Sequence, residues 1–213
     1  MDPDSLGDVP SLIDLREMDD ARHWAETAMV KRPYREEFFQ TIAQELGLLY
    51  PHGLAVLELG SGPGFLALRI LEKLHTAAYV ALDFSSSMHA LAKERLGALA
   101  SRVQFVESDF KGSDWNAGLP TFDAVVSIQT VHELRHKRHA PSLYRSVRSL
   151  LRTKGAFLMC DHFIGEGVTD ARLNMTLEEH EHALRAGGFL SVAEVKRKGS
   201  LVLFRAKCDV VPE

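Results

Sequence analysis

Gly60, Gly62 and Gly64 alternate at the end of an apolar run, Val56-Leu57-Glu58-Leu59, with the carboxylate of Glu58 just ahead and Ser61 inside the turn. Glycine has no Cβ, so the chain there takes positive φ freely and admits a ligand against the main chain. A strand, a glycine turn and a helix in that order offer backbone N–H groups to a nucleotide-type cofactor. The dinucleotide fingerprint G-x-G-x-x-G needs glycine at position 65, where this chain has Phe65. The spacing G-x-G-x-G therefore argues against nicotinamide-dependent hydride transfer.

Open α/β sheets bind ligands beyond the carboxyl ends of their strands, so polar residues at strand ends are the candidates for chemistry. Asp83, followed by Phe84, lies 23 positions after Gly60, close to the interval of about 20 residues at which an acid meets a ribose diol. Ser85 and Ser86 behind it are better suited to cap a helix. Asp109 and Phe110 end the next strand. A carboxylate there can accept from an exocyclic amine while the following N–H donates to a ring nitrogen, although Asp109 to Gly118 also reads as ordinary turn chemistry. Gln129, His132, Asp161 and His162 follow two later strands. Either histidine can serve as a general base on a substrate hydroxyl. No third ligand stands at a spacing diagnostic of a metal, so no metal site is expected.

The elements that must position these residues follow from periodicity. Short β-branched or apolar runs predict strands at Leu54–Leu59, Ala77–Leu82, Val103–Glu107, Phe122–Ile128 and Gly155–Asp161, buried on both faces of a parallel sheet. Helical patterns cover Phe65–Leu74, Ser86–Leu99 and Pro141–Leu151. A capping box, Thr176-x-x-Glu179, opens a helix closing at Gly187-Gly188. Strands at about Phe189–Val195 and Ser200–Lys207 form a hairpin around Lys196-Arg197-Lys198-Gly199. Ahead of the sheet, residues 1 to about 17 predict a frayed start, Asp19–Val30 a helix, and Pro33 the first residue of a second helix carrying Phe38, Ile42, Leu46 and Leu49 on one face.

Taken together, Glu58, Gly60, Gly62, Gly64, Asp83, Asp109 and the stretch Phe122-Asp123-Ala124-Val125-Val126-Ser127 resemble the class I S-adenosylmethionine-dependent methyltransferases. Leu150-Leu151-Arg152-Thr153-Lys154-Gly155-Ala156 and the closing hairpin resemble the family's helix-to-strand turn and reversed last strand, so the likeness runs from about Leu54 to Lys207. It implies an α/β fold: a doubly wound, seven-stranded, mostly parallel sheet with an antiparallel C-terminal strand, plus an N-terminal helical extension. Residues 1–52 would form that extension or lid and residues 53–213 the cofactor domain, within one compact domain. The resemblance also implies S-adenosyl-L-methionine as cofactor and S-adenosyl-L-homocysteine as product. The glycine loop with Ser61 and Glu58 would surround the methionine end, Asp83 and Phe84 the ribose, Asp109 and Phe110 the adenine, and Gln129 would border the methyl group. Trp24 and Lys31-Arg32-Pro33-Tyr34-Arg35 are candidates for a lid over the cofactor carboxylate. Methyl transfer from an activated sulfonium rests chiefly on in-line alignment, so a base at His132 or His162 is optional.

The 213 residues, 46% hydrophobic and 25% charged with a net charge of -4, match an ordinary globular protein. That charge argues against a chain-wide field for nucleic acid or an anionic membrane. Arg135-His136-Lys137-Arg138-His139 is a local basic stretch that reads as a solvated face or as a receiver of an anionic substrate. Cys160 and Cys208 make neither a C-x-x-C motif nor a disulfide framework. The acidic start and the lack of a long apolar run predict a cytoplasmic protein without signal or span. Position 129 opens Gln-Thr-Val-His where amino-methylating enzymes of bases and glutamine carry Asn/Asp-Pro-Pro-Tyr/Phe, which favours a small-molecule methyl acceptor. A non-catalytic S-adenosylmethionine-binding sensor or partner subunit is the alternative, because Phe163 to Met175 leaves little room for a substrate cap.

Overall fold

Strands alternate with helices from Leu54 onward in a seven-stranded, mostly parallel sheet. The computed structural model describes residues 7–165 and 167–209. The first six residues of the expected frayed start, with most of the acidic N-terminus, lie outside the described residues. From Gly7 to Glu17 the chain makes bends and turns without regular helix or strand. No helix of the described residues is long and apolar enough to cross a membrane. The chain divides into two compact units, Leu12–Trp115 and the remainder from Asn116 onward together with the residues up to Ser11.

In the unit Leu12–Trp115, β1 (Leu54–Leu59), β2 (Thr76–Asp83) and β3 (Gln104–Glu107) run parallel, with Leu59 beside Leu82 and Asp83 beside Glu107. All six residues of β1 are buried, as a strand covered on both faces requires. Four helices flank them: α1 (Met18–Lys31), α2 (Arg35–Leu49), α3 (Phe65–Lys73) and α4 (Ser86–Leu96). Phe39 of α2 stacks on Phe65 of α3, and Glu36 pairs with Arg69 at 2.7 Å. Ala21 and Ala25 of α1 pack on Met88 and Leu91 of α4, with Leu15, Met18 and Trp24 against that cluster. Pro33 does not open α2. It sits in a preceding turn, where the Glu36 N–H donates to its carbonyl at 3.4 Å and the helix starts at Arg35. Nor does α4 reach Leu99, because Gly97 turns to φ 53° and a short 3₁₀ turn follows.

In the other unit β4 (Phe122–Ile128) lies parallel to β5 (Leu151–His162), while β7 (Leu201–Lys207) runs antiparallel to both β5 and β6 (Ser191–Lys198). The reversed last strand thus stands as expected. Helices α5 (Ala140–Ser149) and α6 (Leu177–Ala186) pack on each other, and Thr176 and Glu179 form the reciprocal capping box. Tyr144 and Phe189 both contact the Phe157 ring in the core.

Further element bounds differ from expectation. Strand β5 starts at Leu151 rather than Gly155, and α5 ends at Ser149. Gly155 lies within the strand, where a Cβ would meet the Arg152 carbonyl at 2.9 Å. Strand β6 carries Lys196, Arg197 and Lys198 as paired strand residues, and the reversal falls on Gly199-Ser200. Between β3 and β4 the described chain has turns and no helix.

Candidate functional site

The glycine turn closes β1 with three consecutive alternate residues at positive φ: Gly60 at 60°, Gly62 at 52° and Gly64 at 79°. At Gly64 the requirement is double, since a Cβ would also meet Cβ and Cα of Ala92 in α4 at 3.1 and 3.2 Å. The loop is tied to the end of β2. The Ser61 N–H donates to the Leu82 carbonyl at 3.0 Å and the Gly62 N–H to Oδ2 of Asp83 at 2.8 Å. Arg95 of α4 holds it from behind, donating to the Pro63 carbonyl with its guanidinium 3.8 Å from the Phe65 ring centroid.

Two buried acids stand at this loop. Glu58 is almost fully buried and accepts the Tyr79 hydroxyl at 2.7 Å. Burial pushes its carboxyl up to about 8, against the Tyr79 hydrogen bond and reinforced by the Asp83 charge. Burial likewise raises Asp83 to about 6, opposed by the backbone N–H groups of Gly62, Ser85 and Phe84. Ser85, rather than Asp83, caps α4, accepting the Met88 N–H at 3.0 Å. Asp83 is therefore held as a side chain of the loop. Ser61 keeps a buried Oγ with no hydrogen-bond partner among the described residues.

Asp109 lies in a turn: its Oδ1 accepts the Lys111 N–H at 3.0 Å and its carbonyl accepts the Gly112 N–H at 2.9 Å. Its other oxygen faces Arg16 Nη2 at 3.7 Å. Phe110 is buried, and Phe84 is half-buried with Arg16 over its ring. Trp24 packs beside the α1–α4 cluster with the Arg35 guanidinium 5.0 Å from its ring centroid.

In the unit from Asn116 onward, the ends of β4 and β5 bring Gln129, His132, Asp161 and His162 together. His132 is tied twice to Asp161, its N–H to Oδ2 at 3.0 Å and its Nδ1 to Oδ1 at 2.7 Å. Asp161 also accepts the His162 N–H at 2.7 Å, and only 2% of its side chain is exposed. Burial opposes charge on both partners, yet each outweighs that penalty for the other: His132 is held above its ordinary pKa and Asp161 below the usual carboxylate range. The outer nitrogen of His132 faces the more exposed Glu133 at 3.3 Å. His162 differs. Its Nε2 meets Gln129 Nε2 at 2.7 Å and its Nδ1 meets Ser200 Oγ at 3.0 Å, so both ring nitrogens are engaged. An amide N–H donating to Nε2 assigns the remaining ring proton to Nδ1. Gln129 sits at φ 54°, unusual for a non-glycine residue, and its buried Oε1 has no partner among the described residues.

The basic stretch is drawn into the protein rather than left as a solvated face. Arg135 donates to the carbonyls of Val9 and Pro10, Arg138 and His139 meet Asp8, and Lys137 meets Glu179 at 2.6 Å. Arg16, Tyr79, Arg95 and Ser200 were not singled out from sequence. Each acts through a partner at least 21 positions away, so no local pattern marks it.

Residues 56–155 match the family model described as a methyltransferase domain. Over 111 residues the chain is 27% identical to a carboxy-S-adenosyl-L-methionine synthase of Nautilia profundicola, covering 52% of this chain and 45% of that protein. Over 125 residues it is 31% identical to the highly reducing polyketide synthase easB of Emericella nidulans, covering 55% of this chain and 5% of that protein. The chain thus spans less than half the length of these curated relatives. The solved DhpI complex with SAH superposes with a TM-score of 0.68 at 20% identity, covering 90% of this chain and 94% of that one, which shows a shared fold.

Proposed function

Since residues 56–155 match a methyltransferase domain on a shared fold, we propose that this chain is a class I S-adenosylmethionine-dependent methyltransferase acting on an oxygen, nitrogen or carbon nucleophile of a small molecule. The observation that carries this reading is the pair of buried acids, Glu58 and Asp83, at a turn of three positive-φ glycines. These residues fit the cofactor. The Asp83 carboxylate, and the Ser61 hydroxyl that has no partner among the described residues, suit a cationic ligand, and a turn free of Cβ atoms lets a ligand lie on the backbone. The dinucleotide alternative lacks the third glycine of its fingerprint, since Phe65 stands there.

Bound there, the cofactor supplies a methyl group already activated on sulfur. In this proposal the loop with Glu58 and Ser61 holds the methionine end, Asp83 with Phe84 the ribose, and Asp109 with Phe110 the adenine. Orientation provides most of the rate, since a well-aligned pair of reactants gains on the order of 10⁵ M or more of effective molarity. Of the two histidines the geometry favours His132 as the acid–base group: Asp161 and Glu133 hold it as the imidazolium, and it serves as a base in the fraction that has lost its proton. His162 is engaged at both ring nitrogens, by Gln129 and Ser200, and so offers no lone pair to a substrate proton.

A small-molecule acceptor is supported by the likeness to a stretch of a polyketide synthase and by structural neighbours that are a carbon methyltransferase and an O-methyltransferase family protein. The test is release of S-adenosyl-L-homocysteine from the purified chain and S-adenosyl-L-methionine with a library of hydroxylated, amino and β-keto compounds. Acceptor-dependent release is expected. Tight cofactor binding with no release from any acceptor would replace the enzyme by a cofactor-binding subunit.

A further inference from the structure

Arg16 lies far ahead of the sheet in sequence, yet the leader places its side chain on two of the residues assigned above to the cofactor. Its guanidinium carbon is 4.6 Å from the centroid of the Phe84 ring, and its Nη2 is 3.7 Å from Oδ2 of Asp109. The backbone beneath is anchored at successive residues. The Ser85 hydroxyl donates to the Leu15 carbonyl and the Ser87 hydroxyl to the Arg16 carbonyl, the latter at 2.6 Å. The Arg16 N–H donates to Oδ1 of Asp14 at 3.1 Å, and Leu15 and Met18 pack on the α1–α4 cluster. A fixed backbone therefore carries a side chain that is 56% exposed.

Such an exposed ion pair at this distance contributes little to folding, commonly about 0–1 kcal/mol. What it does is orient. Asp109 already accepts the Lys111 N–H on Oδ1, while Lys111 Nζ and Arg16 Nη2 flank Oδ2 at 3.9 and 3.7 Å, beyond hydrogen-bond distance, so the two cations fix the carboxylate's direction and leave Oδ2 open to a donor. A carboxylate accepts and does not donate. Held in one orientation, it distinguishes a purine carrying an amino group from one carrying a carbonyl at the same place. The planar guanidinium beside Phe84 adds a flat, cationic face of the kind that stacks on aromatic rings.

We propose that Arg16 is a positioning residue for the adenine of the cofactor, orienting Asp109 toward the exocyclic amine and completing the wall begun by Phe84. This rests on the cofactor assignment above. It adds a residue of the leader to the site and makes the leader a determinant of base selectivity.

The experiment is calorimetric titration of wild type, Arg16→Ala and Arg16→Lys with S-adenosyl-L-homocysteine and with S-inosyl-L-homocysteine, in which oxygen replaces the amino group. The ligand-free thermal midpoint of each variant is recorded alongside. Arg16→Ala is expected to weaken S-adenosyl-L-homocysteine about five- to tenfold, to narrow the preference for the amino over the oxo base, and to leave the midpoint within about 2 °C of wild type. Arg16→Lys restores part of the affinity, since a point charge lacks the planar face. Wild-type or tighter affinity in Arg16→Ala overturns the proposal, as does weaker affinity with an unchanged amino-to-oxo preference. If wild type itself fails to bind S-adenosyl-L-homocysteine, the cofactor assignment falls with it. Binding by wild type with no Arg16 effect removes Arg16 alone.

Discussion

The backbone N–H of Gly62 donates to the carboxylate of Asp83 at 2.8 Å, so the tip of the glycine turn is fastened to the end of the neighbouring strand. The same carboxylate accepts the Ser85 N–H at 3.0 Å through its other oxygen. The Phe84 N–H also meets this carboxylate, which keeps a lone pair for a ribose hydroxyl on a group already oriented by the loop it serves.

Asp83→Ala accordingly removes both the loop's fastening and the proposed ribose acceptor. Affinity for S-adenosyl-L-homocysteine should fall by about 1.5–3 kcal/mol, the usual worth of a hydrogen bond to a charged group. Calorimetric titration checks it, and an unchanged dissociation constant would remove Asp83 from the site.

Glu58 gives a pH signature. Its folded pKa, raised by burial to about 8 from 4.5, lies above the unfolded value. The stability tied to its proton is thus full below about pH 4.5 and is lost as pH rises through about 8. Glu58→Gln, which stays neutral and can still accept from Tyr79, should gain on wild type as pH increases across that window. The slope is bounded at about 1.36 kcal/mol per pH unit. Denaturant unfolding of both proteins at pH 5, 7 and 9 measures it. A difference independent of pH contradicts the assignment.

The His132–Asp161 pair predicts the opposite slopes on its two sides. Asp161 is held below the carboxylate range, so its contribution is present above about pH 3.8 and fades as pH falls. His132 is held above 6.5, so its contribution is full below that pH and fades as pH rises through the raised value. Asp161→Asn removes the buried charge and leaves His132, the more exposed half of the pair, free to lose its proton, so the stability loss should stay below the roughly 3–5 kcal/mol of an uncompensated buried charge. In the same variant the rising limb of the kcat/KM profile, which reports loss of the His132 proton, should move to lower pH. Coincident profiles would exclude His132 as the base.

Gly64→Ala tests the loop's shape without touching an acid. Its φ of 79° and the 3.1 Å approach of Ala92 oppose any side chain. A loss of about 1–3 kcal/mol in stability is expected from strain and overpacking, with weaker cofactor binding. A variant as stable as wild type by thermal unfolding would show that α4 yields at Ala92.

Much of this architecture was legible in the chain, for reasons that are local. Positive φ is a steric property of single residues, so Gly60, Gly62 and Gly64 announced a left-handed turn, and apolar runs announced strands with their carboxyl-end residues. The reversed β7 followed from two adjacent strand patterns joined by a short basic turn. The misplaced bounds are local failures of the same kind: Gly155 read as a break where it is a close approach inside β5, and Lys196 to Lys198 read as a turn where they pair as an exposed strand.

Partner choice was not legible. His132 and Asp161 are 29 positions apart, Arg16 reaches Phe84 and Asp109 across most of the Leu12–Trp115 unit, and Asp83 turns back to Gly62. By itself the sequence determined which residues stand at strand ends and which backbone can turn there, because sterics and periodicity act over a few residues. Only the tertiary structure decided which acid charges a histidine, which is left with its proton by burial, and which arginine from the leader meets the third strand's aspartate. Those outcomes depend on sheet register and on water excluded by distant packing.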